Sequence, residues 1–139
     1  MSIWIKALMA TNVFMYRLSR GRLGSKMAGQ SVLLLHTVGR KSGKPYTTPV
    51  NYYRDGENYV LVASNWGKAN HPAWFHNLMH QSTATIQVKD LTVHVRACQA
   101  TGEEYERLWK HVTSQNDYYV RYQKQTGRQI PVVILTPER

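Results

Sequence analysis

Hydrophobic positions along the chain first change period near residue 31, and that change divides it in two. Over residues 2–18, Trp4, Leu8, Met15 and Leu18 fall on one side of a helix, while Ser2, Lys6, Arg17 and Arg20 cluster on the other. That pattern predicts an amphipathic helix, ended by a basic, glycine-containing connector over 19–29. From residue 31 the pattern is β. Residues 31–37 form a near-continuous apolar run, as expected of a strand buried on both faces. Runs at 47–53 and 58–64 flank Arg54-Asp55-Gly56-Glu57, a hairpin signal carried by Asp-Gly. A short helix is predicted over 72–80, with Pro72 at the first position, where a missing N–H costs nothing.

Residues 84–88 and 91–98 predict a second hairpin around Lys89-Asp90. In its second arm Leu91, Val93, Val95 and Ala97 alternate with Thr92, His94, Arg96 and Cys98, giving a core face and a wetter face. Thr101 and Glu104 have the spacing of a capping box and open a helix that turns Tyr105, Leu108, Trp109 and Val112 inward. A tyrosine-rich stretch, 118–122, precedes a last strand at 130–135, where Pro131 marks an edge or a strand start. Six short strands, mostly in hairpins, with helices at the start, middle and near the end, predict a small barrel-like α+β domain. The expected division is 1–29, helix and connector, and 30–139, one barrel domain.

Composition changes this picture in three ways. With 139 residues and 42% apolar side chains, the chain can bury a real core. A formal charge of +10 favours an acidic partner such as nucleic acid, anionic lipid or a polyanionic cofactor. The single cysteine, Cys98, excludes an internal disulfide framework and is expected to be a small buried residue. The early apolar stretch is interrupted by Lys6 and Asn12 and shows no small-residue cleavage site, so a cytoplasmic protein is expected.

Two segments carry candidate chemistry. Gly39-Arg40-Lys41-Ser42-Gly43-Lys44 joins two strands and offers N–H groups, three cations and a hydroxyl to one anion. Equally, such a loop is an ordinary solvated basic turn. Ala63-Ser64-Asn65-Trp66-Gly67 leaves a strand and leads to the predicted helix, where Trp66 and Trp74 either wall a planar ligand or fill core. No G-x-S-x-G elbow, Walker loop or Rossmann fingerprint occurs. His76 and His80 have the spacing of a metal pair, but no Glu lies between them and no third ligand is evident, so no metal is expected. Acidic residues are few and none precedes Asp55, which disfavours carboxylate-driven hydrolysis.

Taken together, Gly39-Arg40-Lys41-Ser42-Gly43, Thr48-Pro49, Asp55-Gly56, Ala63-Ser64, Gly67, the run from His71 to Leu78, Tyr119, Tyr122 and Ile130-Pro131 resemble the deazaflavin-dependent nitroreductase family, in order over residues 30–136. The resemblance implies a small antiparallel split β-barrel, related to flavin-binding pyridoxamine-phosphate oxidases. It implies a reductase that moves hydride from reduced coenzyme F420 to a quinone or nitroaromatic acceptor, with FMN as the alternative cofactor. Arg40, Lys41 and Ser42 match the family's phosphate-binding loop, with Gly43 and Pro49 in the same matched segments. Lys44 and the connector's Arg20, Arg22 and Lys26 are assigned to the glutamate tail by charge alone. Ala63, Ser64 and Gly67 match the edge along which the deazaflavin ring lies, and the backbone around Asn65 and Trp66 is assigned to it with them, although Asn65-Trp66-Gly67 replaces a smaller, glycine-rich turn. Trp74 and Asn77 fall in the matched helix beside the ring pocket.

Ser64, Tyr119 and Tyr122 are the hydroxyls expected to serve the acceptor; the alternative for the tyrosines is a solvated helix face. The chain departs from some members at Tyr46, Asn51 and Asn65, where they carry a basic residue, a tyrosine and a lysine, so nitroimidazole activation is not carried over. A helix over 2–20 either lies on an anionic membrane or packs on its own barrel. No nucleic-acid recognition motif is present. The rival reading is an FMN-, haem- or lipid-binding module of the same fold without catalysis, and a dimer is compatible with either.

Overall fold

The computed structural model describes residues 26–27 and 30–138. The predicted N-terminal helix and most of the basic connector lie outside the described residues. The elements in chain order are β1 (Lys26–Met27), β2 (Gln30–Val38), β3 (Pro45–Asn51), β4 (Tyr53–Asp55), β5 (Asn58–Val62), a 3₁₀ turn (Asn65–Gly67), α1 (Ala73–His80), β6 (Thr83–Val88), β7 (Leu91–Gln99), α2 (Gly102–Thr113), α3 (Tyr118–Gln125) and β8 (Val132–Pro137).

All strand pairs are antiparallel, in the order β1-β2-β6-β7-β8-β5-β4, with β3 on β2. The path curls back on itself because one stretch of chain changes partner. Asn51 is still paired with Val32 of β2, whereas Tyr53 is already paired with Val60 of β5. The switch falls on Tyr52, whose N–H still bonds the Ser31 carbonyl at 3.0 Å. The single predicted strand over 47–53 is therefore two strands, and the result is a split β-barrel. Pro45 and Pro49 are tolerated in β3 because it pairs on one side only, so the missing N–H groups leave no gap in a ladder.

Two cores result from strand alternation. Leu33, Leu35, Leu61, Ala63, Ile86, Val95, Val133 and Leu135 fill the barrel interior, closed by Trp74, Phe75 and Leu78 of α1. The other faces of β5 and β8, through Val60, Val62, Val132 and Ile134, pack under Tyr105, Leu108 and Val112 of α2 and Tyr119 of α3. β2 is buried on both faces as its sequence predicts, with Val32 to Leu35 all at most 1% exposed. The Tyr105 hydroxyl donates to the Ile130 carbonyl at 2.6 Å, and burial pushes its pKa up to about 12.

Three expectations about local structure change. Cys98 is exposed, not buried, because it lies on the wetter face of β7 that the alternation itself defines. Thr101 precedes α2 in an extended conformation but makes no side-chain cap bond, so the capping box does not close. Glu103 and Glu104 in the first turn serve that helix end through its dipole instead. Finally, the last strand starts at Val132, after Pro131, and not at residue 130. No helix among the described residues is long and apolar enough to cross a membrane.

Candidate functional site

The 39–44 loop leaves β2 and turns on Gly43, whose φ of +70° is one that glycine adopts without cost. Its backbone is largely used internally. Gly39 N–H donates to the Lys44 carbonyl at 2.8 Å, Gly43 N–H to the Gly39 carbonyl at 2.9 Å, and Lys44 N–H to Ser42 Oγ at 3.2 Å. Arg40 N–H donates to Asn77 Oδ1 of α1 at 3.1 Å, and Asn77 Nδ2 in turn donates to Thr37 Oγ1 at 3.3 Å. The expected cradle of backbone N–H groups is thus mostly spent on the loop itself. What faces outward is side chain: Arg40, Lys41, Ser42 and Lys44 are exposed, and among the described residues none of the three cations joins an ion pair. Gly39 is buried, and a Cβ there would lie 2.7 Å from both Ser42 Oγ and Tyr46 Cε2, so a larger residue would require those exposed side chains to move.

The second segment is built differently. Ser64 is buried, and after it Asn65, Trp66 and Gly67 take φ of 47°, 55° and 76°, three successive left-handed residues. The two without glycine's freedom cost about 1–3 kcal/mol each unless their surroundings over-determine them. The surroundings do. Gly67 N–H donates to the Ser64 carbonyl at 2.9 Å, Lys68 N–H to the Asn65 carbonyl at 3.1 Å, and Asn65 Nδ2 to the Asn70 carbonyl at 3.0 Å. From one side α3 presses on the turn: a Cβ at Gly67 would meet Gln125 Oε1 at 2.5 Å and Tyr122 Cα at 3.1 Å. From another, the Arg128 guanidinium takes the Ala63 and Ser64 carbonyls at 3.2 and 2.8 Å. Trp66 is left 40% exposed at the tip.

Helix α1 links the two segments. Asn77 holds the loop, while His71, just ahead of the helix, contacts Arg128 at 2.8 Å through Nδ1. His71 and His76 rings meet at 5.6 Å. Burial, then the Arg128 and His76 charges, lowers the pKa of His71; burial, then Arg40 and Lys41, lowers that of His76. Both imidazoles are therefore held toward the neutral form between cationic groups. Among the described residues, no three His, Cys, Asp or Glu side chains come together.

The expected site residues fall into groups. Arg40, Lys41, Ser42, Gly43 and Lys44 form one exposed cationic edge, and Ala63 to Gly67 form the turn; α1 lies between them. Pro49 is half-buried in β3, opposite Leu34. Trp74 is 8% exposed and packs in the barrel core. Asn77 is buried with both ends of its amide engaged inside the protein, so it positions the loop and does not reach outward. Tyr119 is buried in the second core, where the Tyr53 hydroxyl donates to its oxygen at 3.1 Å. Burial, then Tyr53, raises the Tyr119 pKa strongly, which opposes a role as proton donor to a ligand. Tyr122 is half-buried beside it, with ring centroids 6.3 Å apart, and its backbone abuts Gly67. Arg128 has no place among the sequence candidates, and His71 enters only as the first residue of a matched run. One arginine among 18 Lys and Arg has no signal of its own, and its four partners lie 57–65 residues away.

Comparison with known proteins identifies the family and the fold. A family model of the F420H(2)-dependent quinone reductases matches residues 8–137. An F420H(2)-dependent quinone reductase of Mycobacterium tuberculosis is 42% identical over 125 residues, covering 87% of this chain and 84% of that protein. The solved structure of an F420-H2 dependent reductase, FDR-A, superposes with a TM-score of 0.69 at 34% identity, over 75% of this chain and 92% of that one. A structure described as a domain-swapped dimer reaches a TM-score of 0.73 at 29% identity, over 95% and 96% of the two chains. The chain belongs to the F420H(2)-dependent quinone reductase family.

Proposed function

We propose that the protein binds coenzyme F420 across α1, tail on the 39–44 loop and ring on the 64–67 turn, and reduces a quinone. The observation that carries the reading is the linkage of the two segments. One helix region bonds the loop through Asn77 and contacts, through His71, the arginine that holds the turn. The donor set suits a polyanion: three exposed cations outside any described ion pair, one of them an arginine with a fork of N–H groups.

When bound, the reduced deazaflavin supplies a hydride. The chain's own part is placement and proton supply. Arg40, Lys41 and Lys44 hold the charged tail, with Ser42 adding a hydroxyl. Ser64 and the strained backbone after it present a fixed wall, against which reacting carbons must lie about 3–3.5 Å apart. Hydride and one proton convert a quinone to a hydroquinone. Tyr122 is the half-exposed hydroxyl assigned to deliver that proton at the acceptor oxygen, with Ser64 in support and Tyr119 bracing Tyr122 from the core. No nucleophile is required of the protein.

Residues 2–20 are assigned to an anionic membrane surface from which a quinone is drawn, at the cytoplasmic side, and the match to a domain-swapped dimer supports self-association. Reading tryptophan fluorescence while titrating F420 and FMN in parallel tests the cofactor. Tight F420 binding, followed by oxidation of reduced F420 with menadione, is the expected result. Preferential FMN binding, or no menadione-dependent turnover, would overturn the proposal.

A further inference from the structure

Arg128 lies between α3 and β8, half-buried, and its guanidinium is spent on neutral partners. Nε–H donates to the Lys68 carbonyl at 3.0 Å, Nη1 to the Ala63 carbonyl at 3.2 Å and to His71 Nδ1 at 2.8 Å, and Nη2 to the Ser64 carbonyl at 2.8 Å. Four of the five N–H donors that a guanidinium owns thus converge on one short stretch of chain, 63–71. Among the described residues no carboxylate pairs with it. A cation placed for charge alone has no need of this fork; a planar rigid fork is what fixes several acceptors relative to one another.

Two consequences follow from elementary geometry. In a trans peptide the C=O and N–H of one unit point in opposite directions. By holding the carbonyls of Ala63 and Ser64, Arg128 turns the N–H groups of Ser64 and Asn65 to the opposite side of the turn. Second, a guanidinium only donates, so Nδ1 of His71 must accept, and the neutral ring carries its proton on Nε2. The stretch that needs such a hold is the one with three successive left-handed residues, Asn65, Trp66 and Gly67.

We propose that Arg128 is a positioning residue of the reductase site: it clamps residues 63–68 into their strained turn and fixes His71 as the Nε2–H tautomer, so that the wall for the ring is assembled before the cofactor arrives. This rests on the assignment of the turn to the ring. The groups facing His71 are Arg128 from the segment before β8 and Phe75 and His76 from α1, with Arg40 and Lys41 acting on His76 from the loop. All are neutral or cationic and none competes for the Nδ1 lone pair as a carboxylic acid would. Burial and the Arg128 charge accordingly hold His71 below the ordinary histidine range.

The test uses the full chain in three forms: wild type, Arg128→Lys and Arg128→Met. Nitrogen-15 spectra of the histidines report the tautomer and titration of His71, backbone amide spectra report Ser64 and Asn65, and F420 titration reports the site. In wild type, His71 is a single Nε2–H species that titrates below the ordinary range. In Arg128→Met that tautomer preference is lost and the titration moves up. In Arg128→Lys, which keeps the charge but not the fork, Ser64 and Asn65 amides shift, F420 binds roughly tenfold or more weakly, as expected when hydrogen bonds to a charged donor are lost, and kcat falls with it. An unchanged His71 tautomer in Arg128→Met overturns the clamp. So does an Arg128→Lys protein that melts earlier but keeps wild-type amide shifts and F420 affinity, since that is a structural role alone. Failure of the wild type to bind F420 overturns the cofactor assignment instead, and the His71 spectrum still decides the clamp.

Discussion

The loop at 39–44 and the turn at 64–67 both leave a strand, and both reach α1, yet they are built on opposite terms. The loop carries its charge outward on three exposed cations and is tied down by one neutral amide, Asn77. The turn contributes little charge, holds a strained backbone, and is braced by α3 and by three hydrogen bonds from Arg128 to the carbonyls of Ala63, Ser64 and Lys68. A flexible polyanionic tail is met well by mobile long side chains, because each keeps rotamer freedom until contact. A ring that must sit within a few tenths of an ångström of its partner is met well by backbone that cannot move. On the proposed reading, the atoms each segment spends on itself divide the labour between tail and ring.

Glycine substitutions break this comparison most sharply. In Gly67→Ala, the new methyl carbon would lie 3.1 Å from Tyr122 Cα and 3.2 Å from the Tyr122 carbonyl oxygen, at φ of +76°. A loss of about 2–4 kcal/mol is expected from steric conflict added to left-handed strain. Gly43→Ala has φ of +70° but nothing within 4 Å, so about 1 kcal/mol of strain is all it should cost. Urea denaturation of both variants measures the difference; equal losses would mean that the turn is no more braced than the loop.

Arg40→Glu comes next. It reverses one charge at the tail site, and a rise of about 10- to 100-fold in the F420 dissociation constant at low salt is expected from Coulomb energies at the surface. Stability should hardly change, because Arg40 is exposed and its anchoring bond to Asn77 comes from the backbone. Melting curves run beside the titration separate the two effects.

The tyrosines sharpen the comparison on the acceptor side. Tyr122→Phe should lower kcat by about a hundredfold, the low end of general acid contributions, while the F420 dissociation constant stays put. Tyr119→Phe removes the acceptor for the buried Tyr53 hydroxyl and should cost about 1 kcal/mol of stability with little direct effect on chemistry. Steady-state kinetics set against denaturation would contradict this assignment if the two variants exchanged effects.

Much of this arrangement is legible in the sequence, and the illegible part has a common cause. The apolar run in β2, the Asp55-Gly56 hairpin and the α1 helix follow from local period and turn chemistry, and they emerge where expected. The exposed cationic edge at 39–44 is legible from six adjacent residues. By contrast, the chain changes partner strand at Tyr52 because of where two other strands lie, and no local pattern marks it. Trp74 reads equally as ring wall or as core in a linear reading, since an aromatic carries the same signal whether it faces a pocket or a core. That it and Tyr119 are buried is a tertiary fact. Arg128 and Asn77 work through backbone atoms tens of residues away, so their chemistry is set by the fold alone.

Acid should have the smallest effect and acts on the turn side. His71 and His76 both have folded values lowered from 6.5. The unfolded chain therefore takes up protons first, so the stability present above pH 6.5 is lost as the pH falls through the folded values. Thermal melts from pH 7.5 downward should show a decline that begins near 6.5. His71→Gln should flatten that decline, and an unchanged slope would remove His71 from the account.

The separation of tail from ring is tested most directly by binding two ligands, F420 and the same deazaflavin without its phosphodiester and glutamate tail, to wild type, Arg40→Glu and Arg128→Lys. Wild type should prefer the complete cofactor. Arg40→Glu should lose that preference while binding the tail-less ring as wild type does, and Arg128→Lys should weaken both ligands by the same factor. Equal weakening of both ligands by Arg40→Glu would contradict the assignment of tail to loop and ring to turn.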